Sequence, residues 1–268
     1  MRIPLFRMDA FTNQLFRGNP AAVCPLHAWL DDESLRKVAT ENNLSETAFF
    51  VPQAGRSVDD YDLRWFTPRG EVKLCGHATL ASAYVVLNLM NAGRQEVRFE
   101  TRFSGTLTVR KDNEIFAMDF PAWFAEPSSK LPDALIPALG PGPPPTHVME
   151  VNETYIAVYD DARTIQNLRP DFARLERFHP FVVSVTAPGD EVDFVSRYFK
   201  PSYGMPEDPV TGSAHCALTP YWAKRLGKSQ LHARQLSDRG GELWCEMAGN
   251  RVILKGNAIL TMQATLTI

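Results

Sequence analysis

Two short segments combine side chains and backbone suited to holding a small anion and moving a proton. Cys75-Gly76-His77-Ala78 and Asp208-Pro209-Val210-Thr211-Gly212-Ser213-Ala214 each place a glycine where a helical pattern begins. The start of a helix presents backbone N–H groups and the positive end of its dipole, so it holds a carboxylate without a charged side chain. Glycine lets a ligand come close to that backbone. Beside these amides stand an imidazole at His77, a carboxylate at Asp208, a thiol at Cys75 and hydroxyls at Thr211 and Ser213. All can transfer a proton or hold a substrate oxygen. Taken singly, each has a commoner use: a histidine or serine at a helix start packs or caps, and an aspartate before proline shapes a turn. Cys75 is either a small packed residue or a thiolate favoured by the helix end.

The two segments belong to an internal repeat. Arg64-Trp65-Phe66-Thr67-Pro68 matches Arg197-Tyr198-Phe199-Lys200-Pro201, and Glu71 to Ala81 lies over Glu207 to Ala217 at an offset of 136, with seven of sixteen positions identical. Each copy reads as a strand, a proline-containing turn and a glycine that opens a helix, so the chain is duplicated. Two equivalent lobes would bring the two helix starts to one cleft. Across the copies Val72 is replaced by Asp208, Cys75 by Thr211 and His77 by Ser213. An asymmetric reaction finds its tools in such differences.

The elements that position these residues are mostly strands. Runs rich in β-branched and aromatic residues predict strands at Thr47–Val51, Tyr61–Thr67, Thr106–Arg110, Tyr155–Tyr159 and Phe181–Thr186. One helix is predicted from about Asp32 to Glu41, capped by Asp31 or Asp32, and a second over about His77 to Leu89. The second is apolar nearly all round and must be enclosed, most simply by a curled sheet. Asn91 and Gly93 are expected to end it in the left-handed conformation. Pro220 is expected to kink or restart the second-copy helix. The Pro-rich stretch 137–145 reads as a stiff surface loop.

Bulk properties remove several classes of function. The 268 residues are 44% hydrophobic and 22% charged, with a formal net charge of −3. That is ordinary for a soluble protein and offers nothing to nucleic acid or an acidic membrane. No signal-peptide pattern or membrane-length apolar run is present. The four cysteines show no paired spacing, and neither they nor the histidines are spaced as a zinc site; a reduced, cytoplasmic protein without a metal is expected. Walker A, GxGxxG and HExxH motifs are absent.

Four motifs, Arg17-Gly18-Asn19-Pro20-Ala21-Ala22-Val23, Asn43-Leu44-Ser45-Glu46-Thr47-Ala48-Phe49, Cys75-Gly76-His77-Ala78-Thr79 and Glu207 to Ala214, occur in order along nearly the whole chain. Together they resemble the signatures of the PhzF-like (phenazine biosynthesis) family. The resemblance implies an α+β fold of the diaminopimelate-epimerase type: two pseudo-symmetric lobes, each a curled, mostly antiparallel, barrel-like sheet around a central helix. The expected division is 1–113 plus 259–268, with Ile259–Ile268 as a returning strand, against 114–258. The active site is expected in the cleft between the lobes.

The resemblance further implies an isomerase without cofactor that abstracts and returns a proton on a small carboxylate-bearing substrate, amino acid-like or cyclic and unsaturated. Glu46 would shuttle the proton, with His77 and Asp208 as the other catalytic groups. Ser45, Cys75, Gly76, Gly212 and Ser213 would line the substrate, and Asn19 would either shape its turn or hold a substrate oxygen. Family members often pair, so a homodimer is expected. Cys75 stands where diaminopimelate epimerase has one of two catalytic thiols, but the partner position is Thr211. Two alternatives stay open: a racemase or epimerase of a small amino or hydroxy acid, and a non-catalytic small-acid binding protein.

Overall fold

A computed structural model of the chain describes residues 1–53 and 60–268. It divides into two compact units, Met1–Phe120 with Leu254–Ile268, and Pro121–Ile253.

The first unit opens with β1 (Arg2–Ala10) and β2 (Asn19–Pro25), followed by α1 (Asp32–Asn42), β3 (Glu46–Pro52), β4 (Asp60–Thr67) and β5 (Gly70–Val72). The buried helix α2 (Gly76–Tyr84) precedes β6 (Glu96–Thr101), β7 (Gly105–Asp112) and β8 (Ile115–Pro121). Helix α1 starts where Asp31 accepts hydrogen bonds from the Ser34 amide and hydroxyl, and it ends on Asn43 in the left-handed conformation, φ 48°. Such an N-cap contributes about 1 kcal/mol. Strand β3 is buried from Glu46 through Val51, which explains its unbroken apolar run after Thr47. Every residue of α2 from Gly76 to Ala83 is buried, as its all-round apolarity requires. Its continuation, Val85–Met90, widens into a π-helical turn and closes with Asn91 at φ −134°, not in the left-handed region expected for it.

The second unit begins with β9 (Glu126–Pro127), α3 (Leu135–Ala138), β10 (His147–Val151), β11 (Thr154–Val158), α4 (Ala162–Asn167) and α5 (Phe172–Leu175). It continues through β12 (Val182–Pro188), β13 (Phe194–Lys200) and β14 (Met205–Glu207) to α6 (Gly212–Leu226), β15 (Gln230–Gln235), β16 (Gly241–Ala248) and β17 (Arg251–Gly256). The Pro-rich stretch is not wholly a surface loop: α3 buries Leu135 and Ala138 in the core around Val183, Val185 and Phe199. Helix α6 runs through Pro220 without restarting. Proline there leaves the carbonyl of Cys216 without its helical donor, and the Trp123 amide donates to that oxygen at 2.9 Å. A donor from outside the helix thus replaces the missing bond.

Strand β18 (Ala258–Thr267) returns to the first unit and runs antiparallel along the whole of β1, Arg2↔Thr267 to Ala10↔Ala258. The units divide at 120/121 and 253/254, later and earlier respectively than the 113/114 and 258/259 read from the sequence. Strand β8 pairs with β7, Val109↔Met118, and so stays with the first unit.

The duplication is visible in strand register. In the first unit β1 pairs antiparallel with β2 (Phe6↔Val23), β2 parallel with β3 (Val23↔Ala48) and β3 antiparallel with β4 (Ala48↔Trp65). In the second, β10 pairs antiparallel with β11 (Met149↔Ile156), β11 parallel with β12 (Ile156↔Ser184) and β12 antiparallel with β13 (Ser184↔Tyr198). Because Trp65 and Tyr198 are equivalent in the repeat, the registers make Val182 the counterpart of Glu46 and Asn152 that of Asn19. The repeated arginines have the same structural task. Arg64 forks onto Glu71 at 2.7 Å through both Nε and Nη2, and Arg197 onto Glu207 at 2.8 and 2.7 Å. Arg197 Nη1 also donates to the carbonyls of Ile165 and Leu168.

Two predictions concern stability. Arg197→Ala removes the fork that holds the mostly buried Glu207 carboxylate, and should cost about 3 kcal/mol, read as a lowered urea midpoint. An unchanged midpoint contradicts the structural task assigned to this arginine. Burial lowers the pKa of His215 from 6.5 to about 4, opposed in part by its contact with the Thr211 carbonyl at 2.8 Å. The unfolded chain therefore takes up this proton before the folded one, so stability falls as pH drops from about 6.5 to about 4, by about 3 kcal/mol in total. His215→Gln should flatten that part of the stability–pH curve, as followed by denaturation at a series of pH values.

Candidate active site

Parallel pairing of β2 with β3 sets the starts of both strands at one end of the sheet. Ala21 lies opposite Glu46, so Asn19, two residues earlier on β2, falls at the same end. The turn into α2 delivers Cys75, Gly76 and His77 there. The result is a tight polar cluster on elements that are otherwise apolar: Asn19 is 0%, His77 4%, Cys75 6%, Glu46 7% and Ser45 9% exposed.

The cluster has a direction. Ser45 Oγ donates to Asn19 Oδ1 at 3.4 Å, and Asn19 Nδ2 lies 3.3 Å from His77 Nδ1. The Asn19 side chain thus addresses Nδ1 and leaves Nε2 to the other side of the ring. That nitrogen stands 3.3 Å from Glu46 Oε2. The imidazole thus stands between Asn19 and the Glu46 carboxylate, and Ser45 holds it in place through Asn19. Cys75 Sγ stands 3.4 Å from Nδ1 and 4.0 Å from Nε2 of the same ring. Asn19 is enclosed between Ser45 and His77, an arrangement suited to positioning the imidazole more than to touching substrate. Spacing along the sequence carries no sign of a metal site, yet ligand atoms of Glu46, Cys75 and His77 all lie within 4.8 Å of one another.

The equivalent place in the second unit is built differently. Asp208 is buried, accepts from Thr211 Oγ1 at 2.6 Å and has Lys200 Nζ at 3.5 Å. Gln235, also fully buried, holds this turn from the other side. Its Oε1 accepts from the Thr211 amide at 2.8 Å, and its Nε2 donates to the Asp208 carbonyl at 2.7 Å and to Thr211 Oγ1 at 3.2 Å. Gln235 has no place in the motif reading. The signal for it lay in the strand alternation, where Leu231, Ala233 and Gln235 share the buried phase. Gly212 opens α6, and Ser213 lines a small cavity of about 10 Å³ with Trp123, Thr154, Ser184, Tyr198 and Ala214. Burial pushes the Tyr198 phenol up to about 12, so it stays a neutral donor.

The helix starts at the two repeats differ from those of α1, α4 and α5. Asp31, Asp161 and Asp171 accept cap hydrogen bonds at the starts of α1, α4 and α5. Cys75 and Thr211, the N-cap residues of α2 and α6, make no side-chain cap bond. The amides of these two helix starts are thus left to backbone, solvent or a ligand oxygen.

Among the described residues, the six first-unit residues of the sequence reading, Asn19, Ser45, Glu46, Cys75, Gly76 and His77, come together in one cluster. Asp208, Gly212 and Ser213 share the turn into α6 in the second unit. No described helix is long and apolar enough to cross a membrane, and the four cysteines are buried and form no disulfide.

Comparison with known proteins agrees with these features. Residues 8–264 match the family described as phenazine biosynthesis-like protein, PhzC-PhzF. An uncharacterized isomerase of Pseudomonas aeruginosa is 52% identical over 266 residues, covering 99% of both chains. The crystal structure of a phenazine biosynthesis PhzF-family protein from Enterococcus faecalis superposes with a TM-score of 0.92 at 42% identity, covering 100% of both chains. A hydroxyproline epimerase from Agrobacterium vitis, solved with bound trans-4-OH-L-proline, shares the fold alone, at a TM-score of 0.61 and 11% identity over 99% of this chain and 92% of its own. The fold is of the diaminopimelate-epimerase type, and the chain belongs to the phenazine biosynthesis-like family.

Proposed function

We propose that the protein is a cofactor-independent isomerase in which Glu46 removes a proton from carbon next to a carboxylate or conjugated system and returns it to another carbon. The observation that carries this reading is the Glu46 carboxylate, 7% exposed and 3.3 Å from Nε2 of an imidazole that Asn19 and Ser45 hold in place. A carboxylate placed in this way takes up a proton, and the neighbouring imidazole steadies the anionic form that must be restored for the next turnover. Electrons released by C–H cleavage move onto the substrate's carboxylate or conjugated oxygen, which the uncapped amide end of α2 is suited to hold. His77 relays or steers the proton. Asp208, tied to Thr211 and Lys200, is assigned to shaping the α6 start and to a secondary acid–base part, with Gly212 and Ser213 binding substrate oxygens.

The duplicate of Glu46 is Val182, so the two repeats do not supply a symmetric pair of bases. That asymmetry favours transfer on one face of the substrate. Stereoinversion is the second reading, favoured by Cys75 Sγ at 3.4 Å from His77, a thiol placed to act as the other acid. Names of relatives support the isomerase class. The substrate class, a small carboxylic acid with no nucleic acid or membrane partner, follows from the helix starts and the composition. A cytoplasmic homodimer completes the proposal, to be checked by sedimentation.

Incubation with a panel of amino acids and cyclic unsaturated acids in D2O should reveal a substrate by mass gain, and product chirality separates isomerisation from stereoinversion. Glu46→Gln should lose exchange by about 100-fold or more while still binding that substrate. Exchange at the normal rate in this variant removes Glu46 from the chemistry, and binding without exchange in the unmodified protein makes it a small-acid binding protein.

A further inference from the structure

The small cavity at the start of α6 has a lining of one kind. Thr154, Ser184, Tyr198 and Ser213 bring hydroxyls to it, the other lining residues are Trp123 and aliphatic ones, and none is charged. We propose that this cavity binds one neutral hydroxyl-type oxygen, from water or from a substrate hydroxyl, and that Ser184 holds it. The site stands on the geometry of the second unit; the substrate as source rests on the function proposed above.

Strand register explains the hole. Ile156, Ser184 and Tyr198 lie side by side on β11, β12 and β13, as Val23, Ala48 and Trp65 do on β2, β3 and β4 of the first unit. Ser213 is the repeat equivalent of His77. In the second copy a phenol thus stands for an indole and a hydroxymethyl for an imidazole, which leaves room beside the first turn of the helix. The phase of β12 sets the direction of Ser184. Val183, Val185 and Ala187 enter the core shared with α3 and α4, so Ser184 and Thr186 take the opposite face, where Thr186 Oγ1 accepts from Trp222 of α6 at 2.9 Å. Ser184 is 1% exposed, and no protein group among the described residues bonds to its hydroxyl. A buried hydroxyl without a partner is destabilising, and an oxygen that both donates and accepts removes that cost. A cavity of about 10 Å³ admits one such oxygen and little more. A charged oxygen would find no counter-charge in this lining. Thr154 and Ser213 are only half-buried, which gives the oxygen a way in.

Crystals of the full chain should show an ordered oxygen about 2.5–3.0 Å from Ser184 Oγ. Ser184→Ala should remove that oxygen and lower the urea midpoint, because a bonded hydroxyl is lost. Alanine already occupies the equivalent position 48 in the first unit, so the strand accepts it. A hydroxyl with no oxygen beside it gives the opposite sign, a midpoint raised by its removal. The source of the oxygen follows from a matched pair of exchanging acids, one hydroxylated and one deoxy. With a substrate hydroxyl in the site, Ser184→Ala should lower kcat/KM about tenfold more for the hydroxylated acid than for the deoxy one. Equal effects, with an oxygen that persists beside bound substrate, assign the site to water. No density at Ser184 in the unmodified chain, or a raised midpoint in Ser184→Ala, overturns the site. An ordered oxygen in a protein that exchanges no acid of the panel retains the site and removes the isomerase reading.

Discussion

The parallel alignment of β2 with β3 is the constraint from which the site follows. Antiparallel neighbours would carry Asn19 and Glu46 to opposite ends of the sheet; parallel ones bring both strand starts to the same end, where α2 also begins. A parallel pair needs a crossover, and α1 with its aspartate cap supplies it. The interior position of β3, buried on both faces, then makes the environment of its first residue largely apolar. A carboxylate in that place needs polar company, and the imidazole of His77 stands 3.3 Å from it.

Duplication supplied the frame twice and filled it in two ways. Both units keep the forked arginine–glutamate pair, the parallel crossover and a helix opened by glycine. These features hold the backbone, and the repeat preserves them. At the site the copies part: glutamate against valine, cysteine against threonine, histidine against serine. The first unit concentrates groups that ionise; the second concentrates hydroxyls around Thr211, Ser213 and Ser184, with Gln235 and Lys200 securing the turn. Equivalent helix starts thus carry different side chains in the two units.

Much of this was legible in the sequence. The β-branched runs became β3, β4, β7, β11 and β12, and the offset repeat reappears as matching registers. The glycines at 76 and 212 mark real helix starts, and the motif residues Ser45, Glu46 and His77 do meet. What escaped depends on three-dimensional neighbours. Asn19 reads as a turn residue until the parallel register places it behind His77. Gln235 is an ordinary strand glutamine until its phase turns it inward. Proline at 220 breaks a helix by local rules, and only a distant amide overrules them.

That distant amide couples two parts of the second unit that local rules keep separate. Trp123 donates to Cys216 in the middle of α6, and the residue also borders the cavity beside Ser213 at the helix start. The segment entering this unit is thus fastened to the helix by its backbone, close to the first turn. Solvent exchange of the Trp123 amide hydrogen accordingly reports on opening of the mid-helix, through a bond that the helix takes from outside itself.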